Sequence, residues 1–125
     1  MSSPARSVVV VDDDEAVRDS LKTLLELQSY SVVTFETCQE FIESDFTGVA
    51  CLVLDIHLPG VSGLDLMNVL KRDRRSLPTI LITGRCDNAI RDRARQFGAV
   101  ALLEKPIDFN SLIHAIGLCL EQSGR

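Results

Sequence analysis

The sequence predicts a doubly wound α/β domain of five parallel strands alternating with five helices. Three observations support this. Short apolar runs alternate strictly with segments of helical periodicity. The runs are continuously apolar rather than alternating, which suits strands covered by helices on both faces. Four of the runs also end in polar or charged residues, at the sheet edge where such folds build a ligand site.

The elements follow in order. Ser7–Val11 (SVVVV) is the first strand, and Asp14 to Gln28 the first helix, with Val17, Leu21, Leu24, Leu25 and Gln28 along one side. Carboxylates precede it, as suits a helix start. Ser31–Phe35 (SVVTF) is less uniform and reads as an edge strand, followed by a short helix from Thr37 to Glu43 with Cys38, Phe41 and Ile42 facing inward. Cys51–Leu54 is the third strand. Leu64, Met67 and Leu70 stripe a third helix that starts after Ser62-Gly63 and ends near the basic run Lys71–Arg75. Thr79–Ile82 is the fourth strand, and Ile90, Ala94 and Phe97 mark a fourth helix stopped by Gly98. Val100–Leu103 is the fifth strand, and Leu112, Ile116, Cys119 and Leu120 mark the last helix.

With 125 residues, one domain over residues 1–125 is expected, its core spanning about 6–122. Apolar residues make up 46% and charged residues 25%, the balance of a globular protein. No apolar run approaches the roughly 20 residues of a membrane helix. The opening MSSPARS has no apolar signal-peptide stretch, so a cytoplasmic location is expected. Cys38, Cys51, Cys86 and Cys119 lie far apart without a CxxC, which argues against zinc and against a disulfide framework. The net charge of −5 is unevenly spread. Residues 1–60 hold 11 acids and 3 bases, while residues 61–125 hold 7 acids and 10 bases. An acidic domain is a poor nucleic-acid binder, and an acidic pocket for a divalent cation is the better expectation.

The strand ends describe that pocket. The first strand runs into Asp12, Asp13, Asp14 and Glu15, and the third into Asp55; the fourth ends at Thr83-Gly84 and the fifth at Glu104-Lys105-Pro106. Each has an ordinary explanation taken singly. Asp runs cap helices, a strand-end Asp is a turn residue, and Thr83 or Lys105 alone is unremarkable. Under one fold all four positions, read as the ends of central strands, converge. Asp12, Asp13 and Asp55 would repel one another unless a divalent cation relieved them, and Mg²⁺ suits an all-oxygen site. Asp55 could then act as a nucleophile toward a phosphoryl donor, with Lys105 and Thr83 neutralising and hydrogen-bonding the phosphoryl oxygens.

These residues resemble the receiver domain of two-component response regulators. The segments VVVVDDDEAVRDSL, LVLDIHLPGVSGLDL, PTILITG and GAVALLEKP carry the likeness, and ITG followed later by EKP is most similar to the FixJ-type receivers. The resemblance implies a flavodoxin-like five-stranded parallel sheet in the order 2-1-3-4-5. It implies a phosphoacceptor at Asp55, phosphorylated by a sensor histidine kinase. Mg²⁺ would be held by Asp13, Asp55 and the main-chain carbonyl of His57, with Asp12 acting partly through water. Thr83 and Lys105 would bind the phosphoryl group, and the Pro59–Gly63 turn matches the family's loop. The switch would pass through Thr83 to the face of the fourth helix, fifth strand and fifth helix. The domain would be no enzyme beyond catalysing its own phosphoryl transfer and dephosphorylation.

Several residues depart from the family pattern. Leu102 stands three residues before the lysine, where the switch aromatic normally sits, and Ile107 replaces an aromatic after the KP pair. Leu102 reads either as ordinary packing or as a sign of rerouted output. His57 and Arg85 flank the path of the hydrolytic water in the family; they read either as merely exposed or as shielding the phosphoryl group and changing its lifetime. Cys86 reads as structural, as does His114, which has no paired ligand at helical spacing. Arg85, Arg91, Arg93 and Arg95 make the fourth helix basic. That face is either merely solvated or a self-complementary homodimer surface that uses Asp87 and Asp92. Neither nucleic acid nor membrane is expected as a direct partner of this domain.

Other functions fit less well. A phosphate-independent interaction module would have no use for the full Asp12, Asp13, Asp55, Thr83 and Lys105 set. A Mg²⁺-dependent phosphohydrolase would need the Asp-x-Asp pair, and His57 stands where its second Asp would be. In a flavin carrier, the acids after the first strand would repel the flavin phosphate. No helix-turn-helix pattern follows the last helix, so DNA binding is expected only through another region or protein.

Overall fold

The computed structural model describes residues 7–44, 48–73 and 77–123. Residue 6 at the expected core boundary, and Arg74 and Arg75 of the basic run, lie outside the described residues. The elements are β1 (Ser7–Val11), α1 (Glu15–Leu27), β2 (Ser31–Phe35), α2 (Cys38–Glu43), β3 (Val49–Asp55), α3 (Gly63–Arg72), β4 (Thr79–Thr83), α4 (Asn88–Gln96), β5 (Ala101–Glu104) and α5 (Phe109–Ser123). All strand pairs are parallel, in the order β2-β1-β3-β4-β5.

Side chains alternate across a strand, and here both sets are buried. Val9, Val11, Leu52, Leu54 and Leu81 face a layer from α2, α3 and α4 that includes Phe41, Leu66, Met67 and Ala94. Val8, Val10, Cys51, Val53, Ile80 and Ile82 face the opposite layer, with Leu21 and Leu25 of α1 and Leu112, Ile116 and Cys119 of α5. Two apolar faces on each central strand explain the unbroken runs in the sequence.

The helices differ from expectation at their margins. In α1 only Leu21 and Leu25 of the stripe are buried, while Leu24 is exposed and Gln28 caps the C-terminus. Strand β5 is not central but lies at the second edge of the sheet, its core residues only half-buried. Side chains cap the N-termini: Asp14 for α1, Thr37 and Ser62 in capping boxes with Glu40 and Asp65 for α2 and α3, and Asp87 for α4. At the start of α5, Asp108 accepts from the Ser111 N–H at 3.0 Å.

The order of the strands sets where the site lies. From β1 the chain goes outward to β2, then returns across β1 to β3, so the strand order reverses between β1 and β3. In open parallel sheets ligands bind beyond the carboxyl ends of the strands at this reversal. Asp12 follows β1 and Asp55 ends β3.

Candidate functional site

The acid run after β1 divides into three roles. Asp14 caps α1, its Oδ1 accepting from the Ala16 N–H at 2.9 Å. Asp12 is buried, and its Oδ1 accepts from the Asp14 N–H at 2.9 Å. The carbonyl of Asp12 accepts from Arg18 Nη1 at 2.7 Å, a tie that sequence reasoning missed. Asp13 remains exposed. Among the described residues, Asp12, Asp13 and Asp55 form a carboxylate cluster, one oxygen from each lying within 4.8 Å of the others.

Asp55 is 4% exposed and held from two sides. Its Oδ1 accepts from the His57 N–H at 2.9 Å, and its Oδ2 accepts from Lys105 Nζ at 3.0 Å. The same ammonium stands 3.2 Å from Asp12 Oδ2. Lys105 reaches this point because β5 pairs with β4 and the ladder continues past it: the Lys105 N–H donates to the Thr83 carbonyl at 2.8 Å. The Lys105–Pro106 peptide is cis.

Burial is the main force acting on Asp12, and it raises the carboxyl above its ordinary range. The Asp14 N–H partly opposes this, while the charge of Asp55 adds to it. For Lys105 burial works against the charged form, yet the hydrogen bond to Asp55 and the negative charges of Asp12 and Asp55 outweigh it and the ammonium is held more tightly than usual. Asp12 Oδ2 is the informative atom. It is buried and makes no hydrogen bond; Lys105 sits at ion-pair distance but off the hydrogen-bonding line. A buried acceptor left this way favours a further cation. Three hard oxygen donors around it suit Mg²⁺.

Thr83 is fully buried at the end of β4. Its hydroxyl donates to the Arg85 carbonyl at 2.8 Å and accepts from the Arg85 N–H at 3.1 Å. His57 Nε2 lies 3.0 Å from the same oxygen. Glu104 Oε2 accepts from the Cys86 N–H at 3.3 Å and so ties the loop after β4 to β5. Asp12, Asp13, Asp55 and Lys105 therefore meet beyond the strand ends, and Thr83, at the end of the neighbouring β4, is tied to them through His57.

Residues outside that set fall elsewhere. Arg85 is exposed, and it meets Thr83 through its backbone. Leu102 is half-buried and packs against the α3–α4 layer. His114 is exposed on α5 and takes no part in the carboxylate cluster. The Cys86 Sγ accepts from Arg91 Nε at 3.2 Å. No disulfide joins the cysteines, and burial pushes the Cys38 thiol up to about 12.

The sequence places Gly63 in the turn before the third helix, and the structure gives it a further part in positioning the site. A Cβ there would come 2.5 Å from the Asp55 carbonyl oxygen and 2.9 Å from Ile56 Cα. The Gly63 N–H also donates to the Ile56 carbonyl at 3.1 Å. The absent side chain lets α3 start directly against the strand that ends in Asp55. The available signal was a glycine placed after a Ser cap and eight residues past Asp55.

The family model for the response regulator receiver domain matches residues 8–117. The chain belongs to this family. The Bradyrhizobium diazoefficiens transcriptional regulatory protein FixJ is 33% identical over 118 residues, covering 93% of this chain and 57% of FixJ. Nodulation protein W of the same organism is 40% identical over 116 residues, covering 92% of this chain and 51% of that protein. The chain thus spans about half the length of the curated relatives it matches. Among solved structures, response regulator StyR superposes with a TM-score of 0.86 at 34% identity, covering 94% of this chain and 60% of StyR. A response regulator receiver protein from Pseudomonas putida, at 23% identity and TM-score 0.85 over 93% of this chain and 98% of its own, shares the fold. The receiver domain described here keeps its family's acidic pocket. No helix among the described residues is long and apolar enough to cross a membrane.

Proposed function

We propose that Asp55 takes a phosphoryl group from a sensor histidine kinase and that α4, β5 and α5 relay the change to an output domain or partner. The observation that carries this is the Lys105 ammonium set between Asp55 Oδ2 and Asp12 Oδ2, at 3.0 and 3.2 Å, at the point where the strand order reverses. An Asp55 carboxylate oxygen attacks phosphorus, and the bond to the donor nitrogen breaks with its electron pair going to the leaving imidazole. The His57 N–H holds one carboxylate oxygen in place. Lys105 is within reach of the phosphoryl oxygens on the other side. Asp12, Asp13, Asp55 and the His57 carbonyl would hold Mg²⁺, which when bound supplies charge neutralisation for the transfer.

On this reading the chain catalyses only its own phosphorylation and dephosphorylation and works in the cytoplasm. The acidic surplus supports a domain that does not itself touch nucleic acid. The names of several relatives speak of transcription, and gene regulation through a region outside this domain is the output we propose. The basic α4 face supports a homodimer, with one change of detail. Asp87 is engaged as the α4 cap, which leaves Asp92 as the acid of the proposed pairing.

Intact mass after incubation with Mg²⁺ and acetyl phosphate tests the reading. One added phosphoryl group on the wild type and none on Asp55→Asn is expected. Addition to both would move the site away from Asp55. Followed over time, the same measurement reports the lifetime, which Arg85→Ala and His57→Ala are expected to shorten if these side chains shield the phosphoryl group.

A further inference from the structure

We infer that His57 is a latch on Thr83: its imidazole holds the hydroxyl in the arrangement of the unphosphorylated domain and so sets how readily the domain switches. The inference rests on the receiver reading of Asp55, Thr83 and Lys105, and makes His57 a positioning residue rather than a catalytic one.

The hydrogen-bond count at Thr83 Oγ1 supports it. A hydroxyl has one proton to donate and two lone pairs to accept with. The proton goes to the Arg85 carbonyl at 2.8 Å, and one lone pair takes the Arg85 N–H at 3.1 Å. His57 Nε2 at 3.0 Å fills the remaining place and must be the donor, so the neutral ring carries its proton on Nε2. The oxygen is then saturated. A phosphoryl oxygen on Asp55 can only accept, so Thr83 reaches it only by withdrawing its proton from Arg85. That turn displaces one of the two N–H donors on the oxygen, and the latch assigns the displaced bond to His57.

The magnitude is modest, because His57 is exposed and water can replace the lost partner. One such bond biases a two-state equilibrium by about two- to tenfold. That is enough to tune a switch without abolishing it. The latch is also well placed, since the His57 N–H already bonds Asp55 Oδ1 and the ring bonds Thr83. One residue thus joins the acceptor strand to the switch strand across 26 positions of sequence.

The test uses the unphosphorylated ¹⁵N-labelled chain as wild type, His57→Ala and His57→Gln. The neutral His57 ring is expected to show the Nε2–H tautomer in a long-range ¹H–¹⁵N spectrum. His57→Ala is expected to move the Gly84 and Arg85 amide resonances toward their positions in acetyl-phosphate-treated wild type, by a two- to tenfold change in the switched population. His57→Gln, with a carboxamide N–H of similar reach, is expected to return them. An Nδ1–H tautomer, amides unmoved in His57→Ala, or a Gln variant that behaves like Ala would each overturn the latch. If acetyl phosphate adds no mass to the wild type, the receiver reading fails by itself. The tautomer and the response of the Arg85 amide in unphosphorylated protein still decide the latch.

Discussion

Asp12, Asp13 and Asp14 are chemically identical side chains in consecutive positions, yet one is buried beside Lys105, one is exposed in the carboxylate cluster and one caps a helix. Neighbouring residues on an extended segment point in different directions, so the tertiary surroundings decide what each does. Gly63 shows the same dependence more sharply, because its role lies in the side chain it lacks. Gly63→Ala places a methyl 2.5 Å from the Asp55 carbonyl oxygen, so the loop or α3 must shift. Overpacking of this kind costs about 1–3 kcal/mol. A lower urea midpoint and slower phosphorylation of Asp55 by acetyl phosphate are expected together. Wild-type values for both would show that α3 does not need this close approach.

At the scale of elements, the starts of α1, α2 and α3 were legible because caps are local chemistry, while those of α4 and α5 came only from the structure. Asp14, Thr37, Ser62 and Asp87 each hold a backbone N–H two or three residues ahead. Asp108 does the same for α5, and the Ser111 hydroxyl at 2.6 Å and then its N–H hold this carboxyl below its ordinary 3.8. A carboxyl lowered by folding stabilises the native state above its unfolded value, and that contribution is lost as pH falls through the folded value. Asp108→Ala is therefore expected to lower the denaturation midpoint at pH 7. The gap to wild type should narrow as pH falls below about 4. A gap independent of pH would mean that the cap acts through something other than the ionised carboxylate. The exposure of Leu24 was not legible, since a helix stripe in sequence does not show how wide a face the sheet will cover.

For the molecule as a whole, the fold gathers acids from two strand ends and sets one lysine against them. A cation that binds only the folded state stabilises it by mass action, about 2.7 kcal/mol at a hundredfold excess over its dissociation constant. Mg²⁺ is expected to raise the melting temperature of the wild type. Asp12→Asn should remove most of that increment. The same variant should melt higher than wild type without added cation, because it removes a buried carboxylate that has an unbonded oxygen and stands beside Asp55. An Mg²⁺ increment unchanged in Asp12→Asn would take Asp12 out of the metal site.

By itself the sequence determined the five-fold alternation of strand and helix, the starts of the first three helices, and the set Asp12, Asp13, Asp55, Thr83 and Lys105 at the strand ends. These follow from periodicity, capping and termination, which act over a few residues. Only the tertiary structure decided which oxygen of Asp12 is left without a hydrogen bond and that Gly63 must have no side chain. It also joined His57 to Thr83 and Lys105 to Asp55, partners 26 and 50 positions apart. Such contacts depend on strand register and on how helices pack over the sheet, and side-chain directions at those distances are set by the assembled core rather than by neighbours in the chain.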